Sequence, residues 1–178
     1  AAYLNIITDL GRQIKLNAAI RYDQFVYDFN NQLGNGTPSS LNHFTNWTPK
    51  LGLTYNLHKM GAYVNYSQGF VPPQITEMYN AIRVPYLLPQ QFSNYEIGTW
   101  FQFGELSGEL SLYKMKGQNE IISVRQTDGV NLNQNAGSTI HQGIEYQFQY
   151  PLKKRIKLIV NGTYANHKYD KTIIKGTD

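Results

Sequence analysis

Residues 144–150 read Ile-Glu-Tyr-Gln-Phe-Gln-Tyr, so that a large apolar residue and a polar residue alternate at every step. Successive side chains of a β-strand point to opposite faces of a sheet, whereas a helix repeats about every 3.6 residues. This stretch therefore predicts a strand with one apolar and one polar face. The same two-residue period recurs over residues 15–23, 50–57 and 94–103, and no segment shows a convincing helical face.

The alternation defines eight predicted strands. They cover residues 2–8, 14–28, 46–57, 61–68, 93–103, 106–124, 139–150 and 156–169. The sequence therefore predicts an all-β fold, with about eight antiparallel strands in an up-and-down meander.

The connections between these strands alternate strictly between short and long. The short ones cover 9–13, 58–60, 104–105 and 151–155, and the longer ones cover 29–45, 69–92 and 125–138. Outer-membrane barrels have tight turns at one end and longer loops at the other. A β-sandwich with Greek-key crossings is not expected to sort its loops in this way. The pattern therefore favours a barrel wall over a sandwich.

Composition and strand length also fit a membrane wall. Charged residues make up only 16% of the 178 residues, and there are 14 tyrosines and 8 phenylalanines. A typical soluble domain is about 25% charged, and tyrosine suits surfaces that are half oily and half wet. Strands near ten residues fit a tilted transmembrane strand. A soluble antiparallel sheet with one face on a core gives the same alternation and remains an alternative at this point.

Several other classes of protein are disfavoured. The chain has no cysteine, which excludes disulfides and thiolate chemistry. No apolar run is long enough for a transmembrane helix, and residues 1–10 do not resemble a signal peptide. The net charge of +4 is scattered rather than clustered, so we predict no nucleic-acid partner. No nucleophile motif or phosphate-binding loop is present, so we predict neither an enzyme nor a cofactor.

A metal site is also not predicted. His141 and Glu145 have the i, i+4 spacing that places two ligands on one face of a helix. On a strand they would lie about 13 Å apart, at about 3.3 Å per residue, and could not chelate one ion unaided. Four Asn-x-Ser/Thr triplets, at Asn35, Asn46, Asn65 and Asn161, are better explained by composition than by glycosylation.

Four stretches together resemble the barrel of TonB-dependent receptors. Residues 47–55 (WTPKLGLTY) are similar to the family's SPKLGLTY strand, and residues 63–73 (YVNYSQGFVPP) to its YASYSQGFRPP strand and loop entry. Residues 94–98 (NYEIG) and 135–145 (NAGSTIHQGIE) are similar to its NYEIG and NAGKTRHQGVE segments. The order and the spacing of the four stretches also agree with the family. Val71 stands where the family often has Arg, so no contact made by that Arg is carried over.

The resemblance implies a larger protein. The family's barrel has about 22 strands around a plugged lumen, so residues 1–178 are expected to be a partial barrel domain that lacks the plug and the C-terminal strands. The implied location is the outer membrane of a Gram-negative bacterium. The implied partners are the lipid bilayer, the receptor's own plug, the TonB complex and a small nutrient. A complete small barrel, or the wall of a porin or adhesin without energy-coupled transport, remains an alternative.

By resemblance, the whole protein imports a scarce nutrient such as a ferric siderophore and does no chemistry on it. The candidate substrate-binding residues in the external loops are Tyr79, Arg83, Tyr86 and Arg125. The candidates for the lumen wall, facing the plug, are Arg21, Glu96 and Glu145. The loop over residues 69–92 is the longest connection and contains four prolines, so we expect it to gate and recognise the substrate.

Overall fold

The computed structural model of the chain describes residues 1–172 apart from 33, 35, 37, 80–84 and 154, and describes residues 136, 171 and 172 by their backbone alone. Eight strands and one short helix occur in this part of the chain. In order they are β1 (Ala2–Asp9), β2 (Ile14–Phe29), β3 (Ser40–Leu57), β4 (Met60–Val71), α1 (Ile75–Met78), β5 (Gln90–Phe103), β6 (Leu106–Arg125), β7 (Asn131–Lys153) and β8 (Ile156–Thr172).

All eight strands form one sheet in sequence order, and every neighbouring pair is antiparallel. The predicted all-β meander is therefore confirmed. Over the described residues β1 pairs only with β2 and β8 only with β7, so the sheet has two open edges. Open edges do not support the alternative of a closed eight-stranded barrel.

The strands are longer than the sequence pattern predicted. β3 begins at Ser40 rather than at residue 46, and β7 begins at Asn131 rather than at residue 139. These added segments contain only a few large apolar residues (Leu41, Phe44 and Leu132), so no regular hydrophobic alternation marks them. Their backbones still pair, as in Phe29 opposite Ser40 and Arg125 opposite Asn131. The placement of Arg125 in a loop is therefore wrong, because it is the last residue of β6.

One helical turn occurs in the longest connection, and the sequence pattern did not predict it. α1 has four residues and follows Pro72 and Pro73 in the longest connection. The Gln74 amide donates to the Glu77 carboxylate at 2.7 Å, which satisfies one N–H group at the start of the helix. A single turn is too short to show a helical hydrophobic period.

The strand register separates the predicted apolar and polar faces. Directly opposed residues of antiparallel strands share a face. One row across the sheet joins Leu16, Leu53, Val64, Ile97, Leu112, Ile144 and Tyr164. The adjacent row on the other side joins Lys15, Thr54, Tyr63, Gly98, Ser111, Glu145 and Thr163. We call these two sides the apolar face and the polar face, and their separation confirms the predicted facing.

Aromatic rings lie over glycines on neighbouring strands and help to fix this register. On the polar face Tyr63 covers Gly98 and Trp100 covers Gly61, so a Cβ on either glycine would overlap the ring. Tyr113 covers Gly143 in the same way, again with the two residues directly opposed. An aromatic ring over a cross-strand glycine fills the space that the glycine leaves and disfavours a slip of one residue.

Candidate functional site

The apolar face is exposed along its length. In the row that begins at Leu16, the other six side chains, from Leu53 to Tyr164, have exposed fractions between 39% and 70%. A monomeric soluble protein rarely leaves a continuous apolar surface of this extent uncovered. Five residues of the row line a shallow hollow of about 670 Å³; they are Leu16, Leu53, Val64, Ile97 and Leu112. This surface needs an apolar environment.

Aromatic side chains lie at both ends of the apolar face. Tyr22 and Trp47 are in contact toward the long loops, with ring centroids 4.8 Å apart. Toward the short turns, Phe101 contacts both Phe103 and Phe148, at 5.3 and 6.3 Å. On β2 the apolar positions run from Ile14 to Tyr22, which is about 26 Å at about 3.3 Å per residue. Outer-membrane barrels have an apolar band about 25 Å tall between aromatic girdles.

The polar face brings together three carboxylates. Glu96, Glu109 and Glu145 line one hollow of about 410 Å³, together with Tyr63 and Ser111. The Tyr63 hydroxyl donates to Glu96 Oε1 at 2.8 Å. Glu96 and Glu145, which were both predicted to face the lumen and the plug, lie around the same hollow on the polar face.

Arg21, the third residue predicted to face the plug, lies elsewhere on the same face. Its Nε and Nη2 both donate to Asp23 Oδ1, at 2.9 and 2.6 Å. The Asp23 side chain is 4% exposed and the Arg21 side chain 54% exposed. The Arg21 guanidinium therefore neutralises a buried carboxylate within its own strand, and about half of the Arg21 side chain stays exposed.

The distribution of buried residues is the reverse of that in a soluble protein. Among the residues described, the buried polar side chains are Asp23, Ser111 and Thr139, and all three lie on the polar face. Large apolar side chains on the opposite face stay exposed, as Ile97 does at 53%. Soluble proteins bury their large aliphatic residues first. The polar face is therefore the inner side of the curved sheet, and the apolar face is the outer side.

The longest connection folds onto the polar side of the sheet at its long-loop end. We call residues 72–79 and 85–89 the inward loop. Its Met78 and Leu87 are 2% and 3% exposed and form a cluster with Phe44 of β3. Partly buried side chains from two strands, β2 and β6, and from the loop pack around this cluster; they are Phe25, Tyr27, Tyr79 and Ile121.

Hydrogen bonds from β7 hold the inward loop on its other side. The Asn135 side chain accepts from the Leu88 amide at 2.7 Å and donates to the Leu88 carbonyl at 2.9 Å. Asn133 donates to the carbonyl of Glu77 at 2.9 Å. The loop is thus attached to β3 by apolar packing and to β7 by amide hydrogen bonds. Since β4, β5 and β6 lie between β3 and β7 in the sheet, the attached loop spans these strands on the polar side.

The four loop candidates have different positions. Tyr79 stacks on Phe29 with ring centroids 4.0 Å apart, and its hydroxyl bonds to Ser40 and Asn42, so it anchors the inward loop. Tyr86 is 87% exposed and is available to a ligand. Arg125 is exposed at the end of β6. Arg83 lies outside the described residues.

The sequence reasoning missed one pair of residues that could bind a ligand or a metal ion. His141 of β7 is directly opposite His167 of β8, and their Nδ1 atoms are 2.6 Å apart. His141 was considered only with Glu145, along one strand. Residues equally distant from a hairpin turn face each other, and residues 141 and 167 are equidistant from residue 154, so counting from the turn would have found the pair.

No helix among the described residues is long and apolar enough to cross a membrane. The His, Asp and Glu side chains of the described residues form no group of three or more that could hold a metal ion.

Comparison with known families decides the class of protein. The model of a family described as "TonB dependent receptor-like, beta-barrel" matches residues 1–178, the full chain. The chain belongs to this family. TonB-dependent receptors are transporters rather than enzymes, and as a family they reside in the outer membrane of Gram-negative bacteria and interact with TonB and small-molecule ligands.

Solved structures with the same fold are also transporters by description. The FrpB iron transporter from Neisseria meningitidis is 16% identical with a TM-score of 0.76, and covers 96% of this chain and 26% of its own. The siderophore receptor PiuA from Acinetobacter baumannii is 18% identical with a TM-score of 0.76, over 96% and 25%. The copper transporter OprC is 15% identical with a TM-score of 0.80, over 95% and 28%. The chain thus spans about a quarter of the length of these TonB-dependent receptor structures, and at this identity the likeness concerns the fold.

Proposed function

We propose that this chain is part of the wall of an outer-membrane TonB-dependent transporter that imports a ferric siderophore or another iron chelate. Its eight strands would supply about a third of a barrel of about 22 strands. The observation that carries the proposal is the reversed packing, with an exposed apolar face outside and a polar face inside. A closed barrel in lipid needs this arrangement, because its outer side meets acyl chains and its lumen holds water or a plug.

The choice of an iron chelate rests on what related folds are described to carry. Those with a described cargo include the FrpB iron transporter, the siderophore receptor PiuA and the ferric preacinetobactin receptor BauA from Acinetobacter baumannii. OprC is described as a copper transporter, so copper is the principal competing cargo. An anionic chelate would also suit the cations Arg83 and Arg125, since guanidinium groups pair well with carboxylate and catecholate oxygens.

The polar face would contact the plug of the complete receptor. Glu96 and Glu145 present carboxylates to one hollow of the inner wall, where basic plug residues would neutralise them. Arg21 would contribute less than these two, because it already pairs with Asp23. The partner groups would lie in a plug domain beyond this chain.

The long-loop end would receive the substrate. Tyr86 is the most exposed of the large side chains described there, and Arg83 and Arg125 would add positive charge. The inward loop lies at the same end, so its movement would admit or retain a ligand. Tyr79 would limit this movement by holding the loop against β2 and β3.

Uptake by whole cells tests the proposal. Cells that lack the chromosomal gene and carry it on a plasmid are grown without iron and given radiolabelled ferric catecholate, hydroxamate and citrate chelates. Cobalamin, an oligosaccharide and a copper salt are given for comparison, with and without TonB. A deletion of residues 74–88 would remove the candidate ligand contacts, but it would also remove Met78 and Leu87, which attach the loop to β3. The double substitution Tyr86→Ala with Arg83→Ala therefore tests ligand contact more specifically. Glu105→Ala, in a short turn at the opposite end, is the matched control.

We expect one ferric chelate to enter in a TonB-dependent manner. The double substitution should raise the concentration needed for half-maximal uptake, whereas Glu105→Ala should leave it unchanged. Uptake of copper, cobalamin or the oligosaccharide alone would contradict the iron assignment and leave the transporter class intact. Uptake that does not depend on TonB would contradict the class of function as well.

A further inference from the structure

A chain of polar contacts on the polar face ends at the pair His141 and His167. His141 Nε2 is 2.8 Å from Thr139 Oγ1, and Thr139 Oγ1 is in turn hydrogen-bonded to the Glu120 carboxylate. On the other side of the ring, His141 Nδ1 is 2.6 Å from His167 Nδ1. The two imidazole rings lie 4.9 Å apart, centroid to centroid, and are tilted by 57°.

Local backbone features place Glu120 in this chain. Residues 111, 113, 115 and 117 of β6 lie on the polar face, so regular alternation would put residue 120 on the apolar face. A β-bulge intervenes at Asn119, which has a φ of 57°. A bulge adds one residue and redirects the side chains that follow it. Glu120 thereby reaches Thr139. Gly117 provides the space for this contact, because a Cβ at residue 117 would overlap the Glu120 carboxylate and crowd Thr139.

The direction of these hydrogen bonds fixes the tautomer of His141. An ionised carboxylate only accepts, so the Thr139 hydroxyl donates its single proton to Glu120. The Thr139 oxygen must then accept from His141 Nε2–H. A neutral His141 therefore carries its proton on Nε2 and presents the lone pair of Nδ1 toward His167. An imidazole whose other nitrogen is held by a polar partner is the usual arrangement of a metal-binding histidine.

We propose that His141 and His167 together bind a late first-row transition-metal ion through their Nδ1 atoms, with Cu²⁺ bound most tightly. Imidazole suits copper, zinc and nickel, and affinities in this series are highest for Cu²⁺. Metal–nitrogen bonds of about 2.0–2.1 Å would place the two nitrogens about 3 Å apart. The nitrogens then need to separate by a few tenths of an ångström, and the rings need to rotate so that both lone pairs point at the ion. β7 and β8 hold the backbones of both residues in register.

The site would be open rather than enclosed. Two imidazoles leave the remaining coordination positions to water or to donor atoms of a bound chelate, which agrees with the absence of a third His, Asp or Glu ligand among the described side chains. His167 is exposed and His141 half-exposed on the polar face, so an ion in the aqueous lumen would reach them directly. The proposed metal site lies in the sheet itself and does not depend on which substrate the transporter carries.

The test is Cu²⁺ binding to the intact receptor, purified in detergent and freed of metal with a chelator. Titration calorimetry gives the number of sites and their affinity, and electron paramagnetic resonance reports nitrogen ligands on Cu²⁺. The variants are His141→Gln and His167→Gln. The matched control is His43→Gln, because His43 is exposed on the opposite face of the sheet. The heat-dependent gel mobility of each variant verifies that the barrel is folded.

The wild type should show one site, with two nitrogen ligands, that both His141→Gln and His167→Gln remove or weaken. Replacing a residue that only hydrogen-bonds to a metal ligand already lowers metal affinity about 10–100-fold. Losing one of the two ligands themselves should therefore lower the Cu²⁺ affinity at least about tenfold. His43→Gln should retain the site. The proposal fails if the folded variants bind Cu²⁺ with wild-type number and affinity, or if His43→Gln loses the same site. The pair would then be joined by a simple N–H···N hydrogen bond.

Discussion

At the scale of single residues, contacts between glycine and an aromatic ring recur across the sheet. Tyr63 lies over Gly98 and simultaneously donates to Glu96, so one ring seals the backbone and orients a carboxylate of the inner hollow. Trp100 over Gly61 repeats the contact on the next row of the polar face. Packing and chemistry therefore depend on the same side chains, and a methyl group at the wrong glycine affects both.

Gly98→Ala should destabilise the wall by about 1–3 kcal/mol, as overpacking of a tight contact does. The new Cβ would overlap the Tyr63 ring, which must then swing away and release Glu96. The measurement is the urea dependence of unfolding in detergent micelles, followed by gel mobility. Gly69→Ala is the control, since a Cβ at Gly69 meets nothing within 4 Å. Equal midpoints for the two variants would show that the ring does not depend on this glycine.

At the scale of elements, the strand segments with one apolar and one polar face were predictable and the segments beyond them were not. The alternation in residues 144–150 places large apolar side chains on one face of the sheet and polar side chains on the other, so it marks β7 clearly there. Asn131–Ser138 of the same strand lacks this alternation, and its Asn133 and Asn135 side chains hold the inward loop instead. α1 is a single turn whose position depends on Met78 meeting Phe44, a contact distant in sequence.

The candidate sites followed the same rule. The facing of Arg21, Glu96 and Glu145 could be predicted from strand parity, but not that Arg21 would pair with Asp23 in its own strand. Glu120 reaches the polar face only through a bulge at Asn119, which simple alternation does not reveal. Tyr79 was predicted as a ligand contact, and the stacking of its ring on Phe29 could not be read from the sequence.

Met78→Ala should release the inward loop while leaving the strands folded. Truncating a buried methionine costs about 2–5 kcal/mol, and most of this loss should fall on the loop, because Met78 packs against few other buried residues. The measurement is hydrogen exchange at the Tyr79 and Leu88 amides, which bond to Ile75 and Asn135. Ile75→Ala is the control on the same helix turn, since Ile75 is 58% exposed. Unchanged protection in Met78→Ala would mean that the hydrogen bonds from β7 alone hold the loop.

At the scale of the whole molecule, the sheet has one side suited to lipid and one side suited to a wet, charged interior. The open edges at β1 and β8 are where further strands of a larger barrel would add, because unpaired edge groups template new strands. The carboxylates of the inner hollow and the loop at its upper end then face a common space. In the proposed receptor this arrangement would place the lipid-facing surface, the plug contact and the substrate entrance in one layer of protein.

Replacing Glu96 and Glu145 together by Gln should loosen the plug in the complete receptor. Both carboxylates line the same inner hollow, and removing one member of a buried charged contact leaves the other uncompensated. The measurement is entry of a large antibiotic that intact outer membranes exclude, with Glu105→Gln in a short turn as the control. Wild-type exclusion in the double variant, at equal receptor levels, would assign these residues to the solvated lumen instead.

The most direct test of the membrane orientation uses single cysteines along β5, since the native chain has no cysteine to remove. Spin labels at Asn94, Tyr95, Glu96, Ile97 and Thr99 of the receptor in lipid bilayers are exposed in turn to oxygen, which concentrates in lipid, and to a water-soluble nickel complex. Labels at 95, 97 and 99 should relax faster with oxygen, and labels at 94 and 96 should favour the nickel complex or be shielded from both reagents. Equal accessibility at all five positions, or the opposite alternation, would contradict a wall with its apolar face in the membrane.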